Sequence, residues 1–154
     1  MNSIPDPEVP VLTEIDLGIV RDINIISPYK SVEVTITPTY SGCPAMDVIA
    51  TNIRMALLKH GYKDVIITKV LSPAWTTDWM TESGKEKLKV YGIAPPGKRR
   101  EREADLLFAD PAKVRCPQCD SVNTALISEF GSTACKALYR CEECGEPFDY
   151  FKCH

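Results

Sequence analysis

Histidine is scarce in this chain: there are two in 154 residues. No carboxylate–histidine constellation of the kind that holds a di-iron centre is present, and no glycine-rich nucleotide loop. No uninterrupted apolar run approaches the length needed to span a membrane. The opening Met1-Asn2-Ser3-Ile4-Pro5-Asp6 has neither a basic n-region nor an apolar h-region, so no secretory signal and a cytoplasmic location are expected. Positive charge is not in surplus. Eighteen Lys and Arg face twenty-one Asp and Glu, for a net charge of −3, and no global basic field exists to attract nucleic acid. Internal repeats and low-complexity tracts are absent. What remains is 44% hydrophobic and 25% charged, the balance of a globular chain. Its length suits one ordinary domain or two small ones.

Cysteine, by contrast, is plentiful, with seven in all. Four form two knuckles, Cys116-Pro-Gln-Cys119 and Cys141-Glu-Glu-Cys144. Each knuckle presents two sulfurs on one tight turn, and two facing turns make a tetrahedral cage. Zn²⁺ suits such a cage because it brings no geometric preference that four sulfurs would frustrate. A structural zinc site with ligands Cys116, Cys119, Cys141 and Cys144 is therefore expected. Iron accepts the same ligands. Cys135 and Cys153 are expected to lie outside the site.

The chain reads as two units and a connector. Residues 1–96 hold nearly all the branched aliphatics, 97–115 form a charged connector, and 116–154 carry the knuckles. In the first unit, Val9 to Asp16 suggests a short helix and Val20 to Ile26 a strand. Ser27-Pro28-Tyr29-Lys30 reads as a turn. Val32, Val34 and Ile36 alternate with Glu33, Thr35 and Thr37, as in a half-buried strand. Met46, Ile49, Ala50, Ile53, Ala56 and Leu57 follow helical spacing, with Gly61 closing the helix. Val65 to Leu71 is another strand. Trp79 to Val90 is expected to be a second helix, weakened by Gly84. The order implies an α+β fold: a small mixed sheet with helices on one face, followed by a small all-β zinc ribbon. Within the ribbon, Val122 to Phe130 and Ala134 to Arg140 read as strands, with Phe148, Tyr150 and Phe151 covering the sheet. So small a core draws much of its folding free energy from metal.

Cys43 is the suggestive thiol outside the knuckles. Pro44 suits the first helical position, which places Cys43 at or near the N-cap, where the helix dipole favours a thiolate. Two roles stay open from local sequence: an exposed, partly ionised thiol, or a small residue packed against the strands. His60 is expected only to favour the helix end. The segment Ser72-Pro73-Ala74-Trp75-Thr76-Thr77-Asp78-Trp79 mixes aromatics, hydroxyls and an acid. Trp75, Thr76 and Asp78 are candidates for a partner-binding surface. Trp79 is expected to tuck onto the core, with Thr77 or Asp78 capping the next helix.

Several motifs carry a resemblance. Asp16-Leu17-Gly18-Ile19-Val20, Thr37-Pro38-Thr39, Gly42-Cys43-Pro44, Pro73-Ala74-Trp75 and Gly92-Ile93-Ala94-Pro95-Pro96 resemble the small α/β domain of the SufT-type and cytosolic iron–sulfur assembly proteins. Phe130-Gly131-Ser132-Thr133-Ala134-Cys135-Lys136-Ala137-Leu138-Tyr139, between the knuckles, is similar to the PaaD family, accessory proteins encoded with the phenylacetyl-CoA epoxidase of aerobic phenylacetate degradation. The resemblance covers nearly the whole chain. It implies a non-catalytic role in assembling or maintaining an iron–sulfur or iron centre of that oxygenase system, with oxygenase or reductase subunits as partners. It also implies that Cys43 is the functional thiol, able to hold iron or a cluster transiently.

Four functions compete: a maturation factor, a non-catalytic adaptor holding oxygenase subunits together, a thiol enzyme using Cys43, and a nucleic-acid binder. The last is disfavoured because residues 111–154 carry five Lys and Arg against six Asp and Glu, which leaves little counterion-release drive. The third lacks a local base.

Overall fold

The computed structural model describes residues 4–26, 30–97 and 114–152. The contacts divide it into two compact units, residues 1–84 and 85–154. The expected turn at 27–30 lies mostly outside the described residues, as does most of the connector.

The first unit is built on a three-stranded mixed sheet of order β1-β2-β3. β1 (Val20–Ile26) runs antiparallel to β2 (Ser31–Ile36), and β2 runs parallel to β3 (Asp64–Lys69). A parallel pair needs a crossover, supplied by α1 (Met46–Lys59). The alternation in β2 does what the sequence pattern requires. Val32, Val34 and Ile36 are fully buried while Glu33 and Thr35 are half-exposed. Met46, Ile49, Ile53 and Leu57 form the buried stripe of α1. Each such side chain contributes roughly 1.5–3 kcal/mol by leaving water. The helix ends at His60, and Gly61 takes φ +89° to turn the chain out, as its lack of a Cβ allows.

No helix forms over Val9–Asp16. Two aspartates capture the backbone instead. Asp6 Oδ1 accepts the N–H groups of Glu8 and Val9 at 2.9 and 2.7 Å. Asp16 Oδ2 accepts the N–H and hydroxyl of Thr13 at 3.0 and 2.9 Å. Short polar side chains that bond nearby N–H groups compete with helix and win in a segment this short.

The second helix, α2 (Glu82–Tyr91), starts later than its sequence suggests, after a 3₁₀ turn at Thr77–Trp79. Its cap is neither Thr77 nor Asp78. Thr81 Oγ1 accepts the Gly84 N–H at 2.9 Å and donates to Asp16 Oδ1 at 3.1 Å. Gly84 is there for space: a Cβ would stand 3.0 Å from the Asp16 Cβ.

The second unit contains a four-stranded sheet of order β4-β7-β6-β5, from β4 (Ile93–Ala94), β5 (Thr124–Ser128), β6 (Lys136–Cys141) and β7 (Pro147–Phe151). Phe148, Tyr150 and Phe151 lie within a strand rather than over the sheet. Ala94, Val114, Cys116, Ala137, Tyr139, Cys141 and Phe148 make its core, with Tyr150 against it. Tyr139 stacks on Phe148 and meets Tyr150 edge-on, at centroid distances of 6.0 and 5.7 Å. The boundary expected at residue 96 is moved by β4, which pairs in parallel with β7 and so belongs to the ribbon sheet.

Candidate functional site

The four knuckle cysteines converge. Their sulfurs all lie within 4.8 Å of one another. Cys116 Sγ is 3.8 Å from Cys144 Sγ, and Cys119 Sγ is 3.5 Å from Cys141 Sγ. Four sulfurs about 2.3 Å from one tetrahedral ion stand about 3.8 Å apart, so the cage fits zinc. Cys116 and Cys141 are buried, and Cys119 and Cys144 are exposed. The ligands come in from opposite sides: Cys116 and Cys119 from the turn before β5, Cys141 from the end of β6, Cys144 from the turn that follows. Asp120 takes φ 61° and Gly145 φ 76°, the left-handed residues that let each knuckle close.

Backbone donors surround the sulfurs. Cys141 Sγ accepts N–H from Cys144 and Glu143, which pulls its pKa down to about 7 against the cost of burial. Cys119 Sγ accepts the Ser121 N–H, but the Cys141 thiol and burial push it up to about 12. Cys144 Sγ accepts the Glu146 N–H, yet burial and the Cys141 thiol raise it. Thiols this close cannot all ionise without a cation among them, and a divalent ion resolves that conflict by making the whole set thiolate. Cys135 is buried in the turn just before β6, 3.0 Å from Thr133 Oγ1, and is not part of the cluster. Cys153 lies outside the described residues.

Cys43 stands in the first unit, half-buried. The helix begins later than the position of Pro44 suggests. Ala45 is the N-cap, and Cys43 lies in the turn before it, its carbonyl 3.5 Å from the Met46 N–H. Its sulfur still receives the N–H groups of Ala45 and Met46, which favour thiolate. Burial is the larger effect, and Glu8 and Asp6 add negative charge, so the thiol is raised above its ordinary value. These surroundings oppose the partly ionised thiol expected at neutral pH. The opposing carboxylates come from about 35 residues upstream, out of reach of a local reading.

The Trp75 segment is also rearranged. Trp75 is buried, and its indole N–H donates to the Leu17 carbonyl at 2.9 Å. It is a core anchor, not a docking surface. Trp79 is half-buried, with the Arg21 guanidinium 3.5 Å over its ring. Thr76 is half-buried and Asp78 exposed. Gly18, at φ +69°, lies against the Trp79 carbonyl, which a Cβ would approach to 2.4 Å.

Sequence reading passed over Glu14. It is 1% exposed, and among the described residues neither carboxylate oxygen has a hydrogen-bond partner. Burial first, then Asp6, push its pKa up to about 8.

Comparison with known proteins closes the question of kinship. Residues 1–66 match the model of the iron–sulfur cluster assembly protein family, and residues 101–152 match that of the PaaD zinc beta ribbon domain. Over 153 residues the chain is 54% identical to an Escherichia coli K12 protein provisionally named as one of the subunits of 1,2-phenylacetyl-CoA epoxidase, covering 99% of this chain and 88% of that protein. It is 34% identical over 89 residues to a Porphyromonas gingivalis Fe-S protein maturation auxiliary factor, covering 57% of this chain and 83% of that one. A crystal structure of a DUF59 domain from Bacillus anthracis shares the fold at TM-score 0.54 and 23% identity, over 58% of this chain and 84% of that one. No helix among the described residues is long and apolar enough to cross a membrane. An assembly-type domain with a loop cysteine, followed by a four-cysteine ribbon and matched almost end to end, makes this chain a member of the PaaD family.

Proposed function

We propose that this chain is an accessory maturation factor for an iron–sulfur or iron centre of a phenylacetyl-CoA epoxidase system, and not itself an enzyme. The observation that carries this reading is the pairing, on one chain, of an iron–sulfur assembly domain with a PaaD ribbon. The charge around Cys43 agrees with it. A thiol raised by burial and two carboxylates is a poor free nucleophile at neutral pH. The same carboxylates attract a cation, and a bound cation lowers a nearby thiol's pKa. Cys43 is therefore the contact for iron or a cluster edge as cargo, giving up its proton when metal arrives. The ribbon holds zinc through Cys116, Cys119, Cys141 and Cys144 as a structural ion that fixes its turns, and Thr76 and Asp78 remain candidate contacts for the client. The protein acts in the cytoplasm, on oxygenase or reductase subunits, without nucleic acid.

In a strain lacking this protein, oxygenase subunits of normal abundance should be poor in iron or sulfide and low in activity. Purified, fully metallated oxygenase should turn over without it. The second reading, an adaptor that holds the complex together, is favoured by the name of the E. coli relative, which makes it part of an epoxidase complex. It takes over if metallated oxygenase still needs stoichiometric amounts of this chain. Cys43→Ser separates the two: it abolishes client metal under the first reading and leaves the complex active under the second.

A further inference from the structure

α1 carries a second, largely apolar stripe, three hydrophobic residues and Thr51. Its inner face, Met46, Ile49, Ile53 and Leu57, is buried. At 100° per residue, Val48, Thr51, Met55 and Leu58 fall on the opposite side, spaced three, four and three residues apart. All four are exposed, with Val48 at 49%, Met55 at 51% and Leu58 at 41%. This is the a/d spacing of a helix that packs along another helix. In such a seam Arg54 and Lys59 take the flanking positions on either side. Both are exposed, and among the described residues neither is paired with a carboxylate. Asp47, the one acid on this border, is engaged by Lys69 from β3. The border of the stripe is therefore positive.

We propose that the outer face of α1 is a docking seam for an amphipathic helix of a partner protein, apolar along one stripe and acidic at its borders. The three–four–three spacing selects a helix over an extended strand, whose contacts would repeat every second residue. The sign of the border selects an acidic partner and disfavours a second copy, because two such faces would set Arg54 and Lys59 against their counterparts. The seam is distinct from Cys43 and from the four-cysteine cage, and it goes beyond a maturation or adaptor role by naming the chemistry of the partner surface.

The test uses the full zinc-loaded chain and two fluorescein-labelled three-heptad peptides, both with Leu at a and d, one with Glu and one with Lys at e and g. Anisotropy titrations at low and high salt should show the Glu peptide binding at least about tenfold more tightly than the Lys peptide, with the preference shrinking as salt screens it. Met55→Glu should weaken Glu-peptide binding by at least about tenfold. Arg54→Glu with Lys59→Glu should reverse the preference. Both changes are at exposed positions, and circular dichroism checks that each variant keeps its fold. Equal affinity for the two peptides, binding untouched by Met55→Glu, or no binding to either overturns the proposal. So does sedimentation showing a dimer that Leu58→Glu dissociates, since the occupant would then be a second copy.

Discussion

Glu14 makes the first unit sensitive to pH in a direction opposite to that of most acids. Its carboxyl is 1% exposed, has no hydrogen-bond partner among the described residues, and is raised from 4.5 to about 8 by burial and by Asp6. The folded state therefore holds a proton that the unfolded state gives up above pH 4.5. Stability from this group is fully present below 4.5 and is lost as pH rises, levelling off above about 8. At 1.36 kcal/mol per pH unit, the interval from 4.5 to about 8 amounts to roughly 5 kcal/mol. Glu14→Leu removes the titration and fills the same space with apolar atoms. Between pH 5.5 and 8.5 the variant should gain on the wild type by roughly 3 kcal/mol, a large share of a typical folding free energy. Urea unfolding followed by tryptophan fluorescence reads the right unit, because Trp75 and Trp79, the only two tryptophans, both lie within residues 1–84. With m-values of about 1–3 kcal/mol/M, the midpoint difference between the proteins should widen by about 1–3 M across that range. Parallel pH profiles for the two proteins would refute the reasoning, since an already ionised or solvated Glu14 has no proton to lose.

Cys141→Ser should release zinc and unfold the ribbon, measured by metal analysis and limited proteolysis, because folding and metal binding are one event there; retention of full zinc and protease resistance would remove Cys141 from the ligand set. Cys135→Ser should keep one zinc per chain. Alkylation of Cys43 by iodoacetamide should be slow at pH 7 and rise with an inflection above the ordinary thiol value, since burial, Glu8 and Asp6 disfavour the thiolate; an inflection below that value would contradict the charge argument. Trp75→Phe should cost about 1–3 kcal/mol in urea unfolding, because it leaves the buried Leu17 carbonyl without its donor.

The metal cage was legible because its geometry is written in short spacings: two residues between paired cysteines decide where four sulfurs point. β2 and α1 were legible for the same reason, since one period governs each. The misses share a different cause. Asp6 and Asp16 convert an apolar stretch into turns through hydrogen bonds that no hydrophobic period records. Trp75 is fixed by the carbonyl of Leu17, 58 residues away. The acidity of Cys43 is set first by burial and then by carboxylates on another segment, and Glu14 sits between Thr13 and Ile15, where no spacing marks it as buried. Local chemistry read correctly where the partners were local and failed where folding brought in distant ones.

The pairing of β4 with β7 bears on how this module can be moved or cut. Ile93 and Ala94 hydrogen-bond along β7, so the sheet around the cage borrows its outermost strand from residues that precede its first cysteine, Cys116, by more than twenty positions. A fragment that begins at Val114 retains every sulfur of the cage and leaves the β7 edge bare, an invitation to pair with whatever strand is near. A graft that keeps the ribbon sheet whole must include Ile93 and Ala94, and in lineages that exchange this tail between proteins the recombination point should fall upstream of β4, with the strand travelling as part of the cargo.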